Sequence, residues 1–170
     1  MISNIETERL VIRPFKKKDA SFILSLLNTP TWLRFIGDRN IKNKTDAKNY
    51  LLNGPMTSYR INNFGLSMVE LKNQSVPIGM CGLIKRETLD DIDIGFAFMP
   101  EYIGMGYGYE AATATMYYAK NDLQVKRVVA ITDPENINSI HLIKKLGMQF
   151  EKMITLDSDK ELLFFGIEMT

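Results

Sequence analysis

The chain has 170 residues, with 21 basic and 20 acidic side chains, a formal net charge of +1 and a hydrophobic fraction of 45%. This length suits one domain, which we expect to span residues 1–170 and to fold without a metal or a disulfide. The balanced charge argues against a nucleic-acid scaffold, and no apolar run approaches the ~20 residues of a membrane span. The single cysteine excludes an intramolecular disulfide and suits a reducing compartment, so we expect a cytoplasmic protein. From the charge balance and the lack of a long apolar run we expect no nucleic-acid and no membrane partner.

Hydrophobic periodicity and the positions of Gly and Pro divide the chain into strands and helices. In chain order we predict a strand at 9–13, a helix ending near 28–30, a helix at 45–52 with more helix after 55, strands at 64–71, 76–84 and 91–99, a helix at 109–122, a strand at 125–132, a helix ending at 147, and strands at 149–156 and 161–169. Asp19 and Asp133 are the expected helix N-caps, and Gly147 is an expected C-cap. The order predicts a mixed α/β sheet with one clear strand–helix–strand crossover.

Three glycines, Gly104, Gly106 and Gly108, lie two residues apart between a predicted strand and a predicted helix. A strand, a glycine turn and a helix together are typical of a phosphate site, because bare backbone N–H groups then point at the ligand. Glycine leaves the approach open and adopts the positive φ that some turn positions need. We therefore predict a phosphate-bearing ligand near Gly108, at the start of the helix.

Several interpretations of this glycine turn remain open. No Lys-Ser or Lys-Thr follows it, which argues against a P-loop. The segment from Gly106 to Ala111 fits the dinucleotide pattern Gly-x-Gly-x-x-Ala, and Asp133 ends the next strand, but only one crossover is visible. A turn that merely links a strand to a helix is the plainest alternative.

A second candidate group lies on the helix that ends at Gly147. On a helical wheel Ser139 falls near the middle of the apolar face, where its hydroxyl either bonds back to its own helix or contacts a ligand. His141 falls on the solvated face and Cys81 lies inside a strand, so we expect neither a base, nor a Cys–His pair, nor a zinc site.

The run 93–111, followed by Asn136 and Ser139 and then by the Lys-Leu-Gly-Met segment at 145–148, resembles the GNAT superfamily of acetyl-CoA-dependent N-acetyltransferases. The opening segment 8–15, Glu-Arg-Leu-Val-Ile-Arg-Pro-Phe, is most similar to the branch that acetylates the N-termini of ribosomal proteins. The resemblance spans nearly the whole chain. It implies a GNAT-type mixed, mostly antiparallel central sheet flanked by helices, with one β-α-β acetyl-CoA-binding unit.

The resemblance also implies where acetyl-CoA binds. The pyrophosphate would lie on the backbone amides of Ile103, Gly104, Met105, Gly106, Tyr107 and Gly108. Phe98 and Met99 would pair their backbones with the pantetheine arm, as an added strand does. Asn136 and Ser139 would lie near the pantetheine and the sulfur. Two positions depart from the family pattern: Ile103, where Gln or Arg is common, and Ile143, where many relatives carry a Tyr as general acid.

The implied reaction is direct attack of a neutral amine on the acetyl-CoA thioester, with no metal. A carboxylate acting through water can take the amine proton, and Asp93 is the first candidate and Glu101 the second. We expect Ser139 to hydrogen-bond the departing thiolate, and backbone N–H groups where strands splay to stabilise the oxyanion.

The acceptor amine is open at this point. A protein or peptide α-amine comes first, a small-molecule amine (a polyamine, an amino acid or an antibiotic) second, and a non-catalytic acyl-CoA-binding module is the alternative of a different class. Trp32, Phe35, Tyr50 and Tyr59 are candidates for an acceptor wall, although aromatic residues on helices more often belong to a core. We expect a monomer or a homodimer.

Overall fold

The computed structural model describes residues 2–170, and within them it contains eight strands and six α-helices. The strands are β1 (Ile5–Glu6), β2 (Leu10–Pro14), β3 (Leu66–Leu71), β4 (Val76–Ile84), β5 (Ile92–Phe98), β6 (Arg127–Thr132), β7 (Gln149–Ile154) and β8 (Leu162–Glu168). The helices are α1 (Ala20–Leu26), α2 (Pro30–Phe35), α3 (Lys44–Asn53), α4 (Pro55–Asn62), α5 (Tyr107–Asn121) and α6 (Ile137–Lys145). Short 3-10 turns at Lys17–Asp19 and Pro100–Tyr102 precede α1 and the glycine turn.

All eight strands belong to one sheet, in the order β1-β2-β3-β4-β5-β6-β8-β7. Neighbouring strands are antiparallel except for β5 and β6, which are parallel. A parallel pair needs a crossover connection, and α5 supplies it. The expected mixed, mostly antiparallel sheet flanked by helices, with one β-α-β unit, is therefore confirmed.

Helices cover both faces of the sheet, which gives the protein two apolar cores. On one face α5 and α6 pack over buried residues such as Ile94 and Phe165. On the other face α1 to α4 pack over Met68 and Met80. Side chains alternate along a strand, so each central strand contributes to both cores. Within residues 2–170 no helix combines the length and the apolar character needed to cross a membrane.

The segment after α1 and the cap of α6 differ in part from the prediction. The helix α1 ends at Leu26, close to its predicted end near 28–30, but a further helix that the sequence did not predict, α2, begins at Pro30, and the side chain of its N-cap Thr29 accepts a hydrogen bond from the Trp32 N–H. Asp133 does not cap α6, which begins at Ile137 with Asn136 as its N-cap. Proline is compatible with the first position of a helix and also with the residues just after a helix. A proline in the sequence therefore does not show whether a helix begins or ends there.

The other boundaries lie close to their predicted positions, with two further differences. The strand β1 has no predicted counterpart, because two residues are too few for a periodic signal. Asp19 makes no side-chain capping bond to α1. Gly147 is confirmed as a helix-ending residue, since it follows the C-cap of α6 with a φ of +89°.

The carboxylate of Asp19 instead belongs to a buried ionic cluster that joins β2, β3 and the first 3-10 turn. Arg13 donates to both oxygens of Asp19, at 2.9 and 3.0 Å, and to Glu70, at 2.7 and 2.9 Å. Burial alone would raise the pKa of Asp19, but Arg13 and the Lys16 N–H outweigh it and hold that pKa below its ordinary value. The cluster therefore depends on ionised Asp19.

We expect Arg13→Ala to lower the free energy of unfolding by about 3–5 kcal/mol, because it leaves two mostly buried carboxylates without their counter-ion. Denaturant unfolding at neutral pH measures this loss. Lys42→Ala is the matched control: it removes one partner of an exposed pair with Asp38, which is worth less than about 1 kcal/mol.

The same cluster predicts an acid-dependent loss of stability. The folded pKa of Asp19 lies below its unfolded value of about 3.9, so its contribution is present above that pH and disappears as the pH falls through the folded pKa. Asp19→Asn should flatten this part of the stability curve. An unchanged acid limb in Asp19→Asn would contradict the assignment.

Candidate functional site

The central feature of the site is a wedge-shaped opening between β5 and β6. The two strands pair at only two register positions, Ile92 with Val128 and Asp93 with Val129. Beyond these, β5 continues to Phe98 on β4 alone, while β6 continues to Thr132 on β8 alone. The carboxyl-terminal half of β5 therefore has an open edge on its β6 side.

Backbone groups of β5 line this opening in an alternating way. The Met99 N–H donates to the Ile78 carbonyl on β4 at 2.9 Å, and the Met99 carbonyl accepts from the Tyr102 N–H at 3.0 Å. Backbone groups of successive residues in an antiparallel strand point to opposite sides, so those of Phe98 and Phe96 point away from β4 and into the wedge. The backbone of Phe98, for which the family resemblance implied pairing with an extended ligand, thus faces the opening, whereas both backbone groups of Met99 have internal partners.

The glycine turn lies at the mouth of the wedge, between the 3-10 turn at Pro100–Tyr102 and the start of α5. Gly104 and Gly106 both have a φ of +83°, the left-handed conformation that disfavours side chains. Gly106 is the N-cap of α5, and the first amides of a helix have no partner within the helix. The Ile103 amide differs from them, because it donates to the Pro100 carbonyl at 3.3 Å.

Gly108 serves a different purpose from the other two glycines. It lies inside α5, and a Cβ at this position would lie 2.8 Å from Cδ1 of Leu142 on α6. The absence of a side chain therefore lets α6 approach the first turn of α5. Ser139 lies one helical turn before Leu142, so the first turn of α6 borders the same end of the opening.

The structure explains why Asn136 and Ser139 occur three residues apart. The Asn136 side chain accepts a hydrogen bond from the Ser139 N–H at 3.2 Å and so caps α6. Ser139 is half-buried, and within the described chain its hydroxyl makes no hydrogen bond back to its own helix. Of the two explanations that the helical wheel left open, the return bond is thus absent from this structure.

The two candidate carboxylates have opposite surroundings. Asp93 is 1% exposed and forms an ion pair with Nε of Arg86. Burial raises the pKa of Asp93, and the charge of Arg86 opposes that rise. Glu101 lies exposed in the 3-10 turn before the glycines. Solvation, which is the usual fate of an acidic residue at a strand edge, therefore applies to Glu101 and not to Asp93.

The four aromatic residues proposed as an acceptor wall separate into two pairs. Trp32 is buried and its indole N–H donates to the Gly37 carbonyl at 3.1 Å. The Tyr59 hydroxyl accepts from the Phe15 N–H at 2.9 Å and donates to the Leu66 carbonyl. The Tyr59 contacts join α4 to the segment after β2 and to β3, and the Trp32 contact closes the end of α2, so both residues have a structural role.

Tyr50 and Phe35 are half-buried and remain open to a ligand. Burial raises the pKa of Tyr50, while the charges of Arg39 and Arg86 act against the rise. Tyr50 also packs against the core that lies on the α1–α4 face of the sheet. This face carries Asp93 by strand alternation, since Ile92 and Ile94 pack on the opposite side.

The two residues set aside as reactive groups match their expected surroundings. Cys81 is fully buried, and burial raises the pKa of its thiol to about 12. His141 is exposed on α6. Sequence reasoning missed Arg86, the partner of Asp93, because an arginine in a loop carries no motif of its own.

Comparison with known proteins identifies the family to which this arrangement belongs. Residues 9–149 match the family described as Acetyltransferase (GNAT) domain. Over 148 residues the chain is 29% identical to "Uncharacterized N-acetyltransferase YnaD" of Bacillus subtilis (strain 168), covering 87% of this chain and 84% of that protein.

Solved structures show the same fold. A GNAT-family acetyltransferase from Bacillus anthracis superposes with a TM-score of 0.82 at 24% identity, covering 98% of this chain and 99% of that one. RimL, a ribosomal L7/L12 α-N-protein acetyltransferase solved with coenzyme A, gives a TM-score of 0.85 at 12% identity and covers 98% of each chain. Because the family match extends over most of its length, the chain belongs to the GNAT acetyltransferase family.

Proposed function

We propose that this N-acetyltransferase moves the acetyl group of acetyl-CoA directly to a primary amine, and that the amine is the N-terminal α-amine of a protein or peptide. The observation that carries the acetyl-CoA part of the proposal is the wedge between β5 and β6, with the glycine turn at its mouth and the first turn of α6 beside it. An opening of this kind offers backbone donors to an extended ligand that ends in phosphates.

The pyrophosphate of acetyl-CoA is assigned to the glycine turn. The positive φ of Gly104 and Gly106 and the unpaired amides at the start of α5 suit a dianion, and the helix dipole adds to the attraction. Nothing lies within 4 Å of the Cβ position of Gly104, so the approach from that side is open. The backbone amides of residues 104–108 are the proposed main donors to the pyrophosphate. The side chains of Ile103 and Met105 add exposed apolar surface beside them.

The pantetheine arm is assigned to the open edge of β5. Phe98 and Phe96 have the backbone groups that face the wedge, so they replace the pair Phe98 and Met99 as the proposed partners. An amide-containing arm then takes the place that a further strand would occupy. In this direction the thioester lies between Ser139, on the first turn of α6, and Asp93, where β5 and β6 meet.

The chemistry needs one proton acceptor and one donor. The amine nitrogen attacks the thioester carbonyl, the C–S bond breaks, and the amine proton passes to a base while the thiolate leaves as coenzyme A. Asp93 is the proposed base, with Glu101 as the second candidate. Since Asp93 is buried against Arg86, the proton must pass through water or follow a movement of Arg86. Ser139 is proposed to hydrogen-bond the thiolate.

The acceptor is tested by a turnover screen with purified protein and acetyl-CoA, following thiol release. We expect a peptide with a free α-amine to react faster than the same peptide blocked at its N-terminus but containing a lysine. Turnover confined to polyamines, amino acids or antibiotics would replace the proposed acceptor with a small molecule. Coenzyme A binding without turnover of any amine would indicate a binding module.

The donor site is tested by Gly104→Ala and Gly106→Ala. A side chain in the left-handed conformation costs about 1–2 kcal/mol, which distorts the turn and should weaken acetyl-CoA binding about tenfold. Gly37→Ala is the matched control, because Gly37 also has a positive φ and open space but lies in the connection between α2 and α3. Calorimetric titration with acetyl-CoA should show no change for Gly37→Ala, and equal weakening in all three would contradict the assignment.

The catalytic roles are tested by Asp93→Asn, Glu101→Gln and Ser139→Ala. Loss of a general base should lower kcat by about 10²-fold or more in Asp93→Asn, and the low-pH limb of the rate profile should disappear with it. Loss of a hydrogen bond to a thiolate should lower kcat about tenfold or more in Ser139→Ala. Thermal unfolding of each variant checks that the fold is retained.

Two outcomes would contradict these roles. Full turnover in both Asp93→Asn and Ser139→Ala would remove the catalytic assignment altogether. A large loss in Glu101→Gln with a normal Asp93→Asn would move the base to the exposed carboxylate. Because the folded pKa of Asp93 is raised, the wild-type acid limb should lie above the ordinary value of about 3.9 for an aspartate.

A further inference from the structure

One side chain far from the glycine turn in sequence holds that turn in place. Nη1 of Arg9, just before β2, donates to the Met105 carbonyl at 3.1 Å. The same guanidinium stacks on the Tyr107 ring, with its central carbon 4.3 Å from the ring centroid. A Cβ at Gly106 would lie 3.3 Å from Nη2 of Arg9. Arg9 thus contacts or borders three consecutive residues of the turn.

Arg9 also binds the carboxylate in the first turn of α5. Its Nε donates to Glu110 at 2.7 Å, and its backbone N–H donates to the other oxygen of Glu110 at 2.9 Å. The Thr7 hydroxyl donates to Glu110 at 2.6 Å. Burial opposes ionisation of Glu110, but Thr7 and Arg9 outweigh it, so the pKa of this carboxyl lies below its ordinary value. Glu110 is therefore a stable negative charge.

This charge occupies the end of α5 that the proposed function gives to a pyrophosphate. An uncompensated carboxylate one turn away would repel the phosphates, whereas a paired one leaves the helix dipole free to attract them. The fork of a guanidinium can bond Glu110 and the Met105 carbonyl at the same time, which a lysine ammonium cannot do in this geometry.

We propose that Arg9 is a positioning residue of the acetyl-CoA site, which fixes the glycine turn through the Met105 carbonyl and neutralises Glu110 beside the pyrophosphate. The inference rests on the proposed function, because it assumes that the turn holds the pyrophosphate. The side chain of Arg9 is 42% exposed, so its contacts with the turn are not required to fill a core.

The test compares three acetyl donors with the acceptor found in the amine screen. Acetyl-CoA and S-acetyl-3′-dephospho-CoA contain the pyrophosphate, and S-acetylpantetheine does not. We expect Arg9→Ala to raise KM about tenfold or more for the two donors with a pyrophosphate, with kcat unchanged. Its kcat/KM for S-acetylpantetheine should equal that of the wild type.

Lys72→Ala is the matched control. Lys72 donates to the Thr7 carbonyl at 3.2 Å and pairs with Glu6, so it supports the same β1–β2 connection without contacting the turn. We expect wild-type KM for all three donors in this variant. Arg9→Lys provides a milder change, and it should show the same donor pattern with a smaller loss.

The double variant Arg9→Ala/Glu110→Gln separates the role of charge from that of packing. Because the double variant lacks the uncompensated carboxylate, its KM for acetyl-CoA should lie between those of Arg9→Ala and the wild type. A KM as high as that of Arg9→Ala would overturn the neutralising role. Equal losses with S-acetylpantetheine would mean that Arg9 only supports the fold. A loss with acetyl-CoA but not with its dephospho form would point to the 3′-phosphate and overturn the proposal. Absence of wild-type turnover with every donor would instead contradict the proposed function.

Discussion

The parting of β5 from β6 after Asp93 is the constraint on which the site depends. An open strand edge carries unsatisfied backbone groups, and proteins usually cover such edges. Here each strand is fully paired on its other side, β5 with β4 from Asp93 to Phe98 and β6 with β8 from Arg127 to Thr132. Where the two strands part, each is therefore still held by its other neighbour, and the opening is part of the fold.

The same strand presents different groups to the wedge and to the two faces of the sheet. The backbone of β5 faces the wedge, the side chains of Ile94, Phe96 and Phe98 enter the core beneath α5, and Asp93 and Ala97 lie on the α1–α4 face. Asp93 lies at the narrow end of the wedge, and its side chain is thus on the α1–α4 face of the sheet. This places Asp93, Arg86 and Tyr50 on one face and the glycine turn at the far end of the same strand.

The features that sequence could predict are those that depend on neighbouring residues. Gly104 and Gly106 signal a left-handed turn because no other residue adopts that conformation at so little cost, and the β3–β4 hairpin follows from alternation around a polar turn. The features that it missed depend on contacts that no motif marks. Arg9 meets Glu110 across 101 positions, and Arg86, in the loop after β4, pairs with Asp93 on β5. Neither contact leaves a local pattern.

The surroundings of Asp93 give a physical reason to favour an α-amine over a lysine. Asp93, the proposed base, is buried and paired with an arginine, so it cannot move freely to the acceptor, and in this proposal the acceptor must supply much of its own neutral form. An α-amine has a pKa near 7.7–8.0 and a lysine near 10.4, so at neutral pH the reactive fraction of the α-amine is roughly 300-fold larger. In the proposed mechanism, an α-amine, with its larger neutral fraction, therefore depends less than a lysine on a carboxylate that it reaches only through water or after a movement of Arg86.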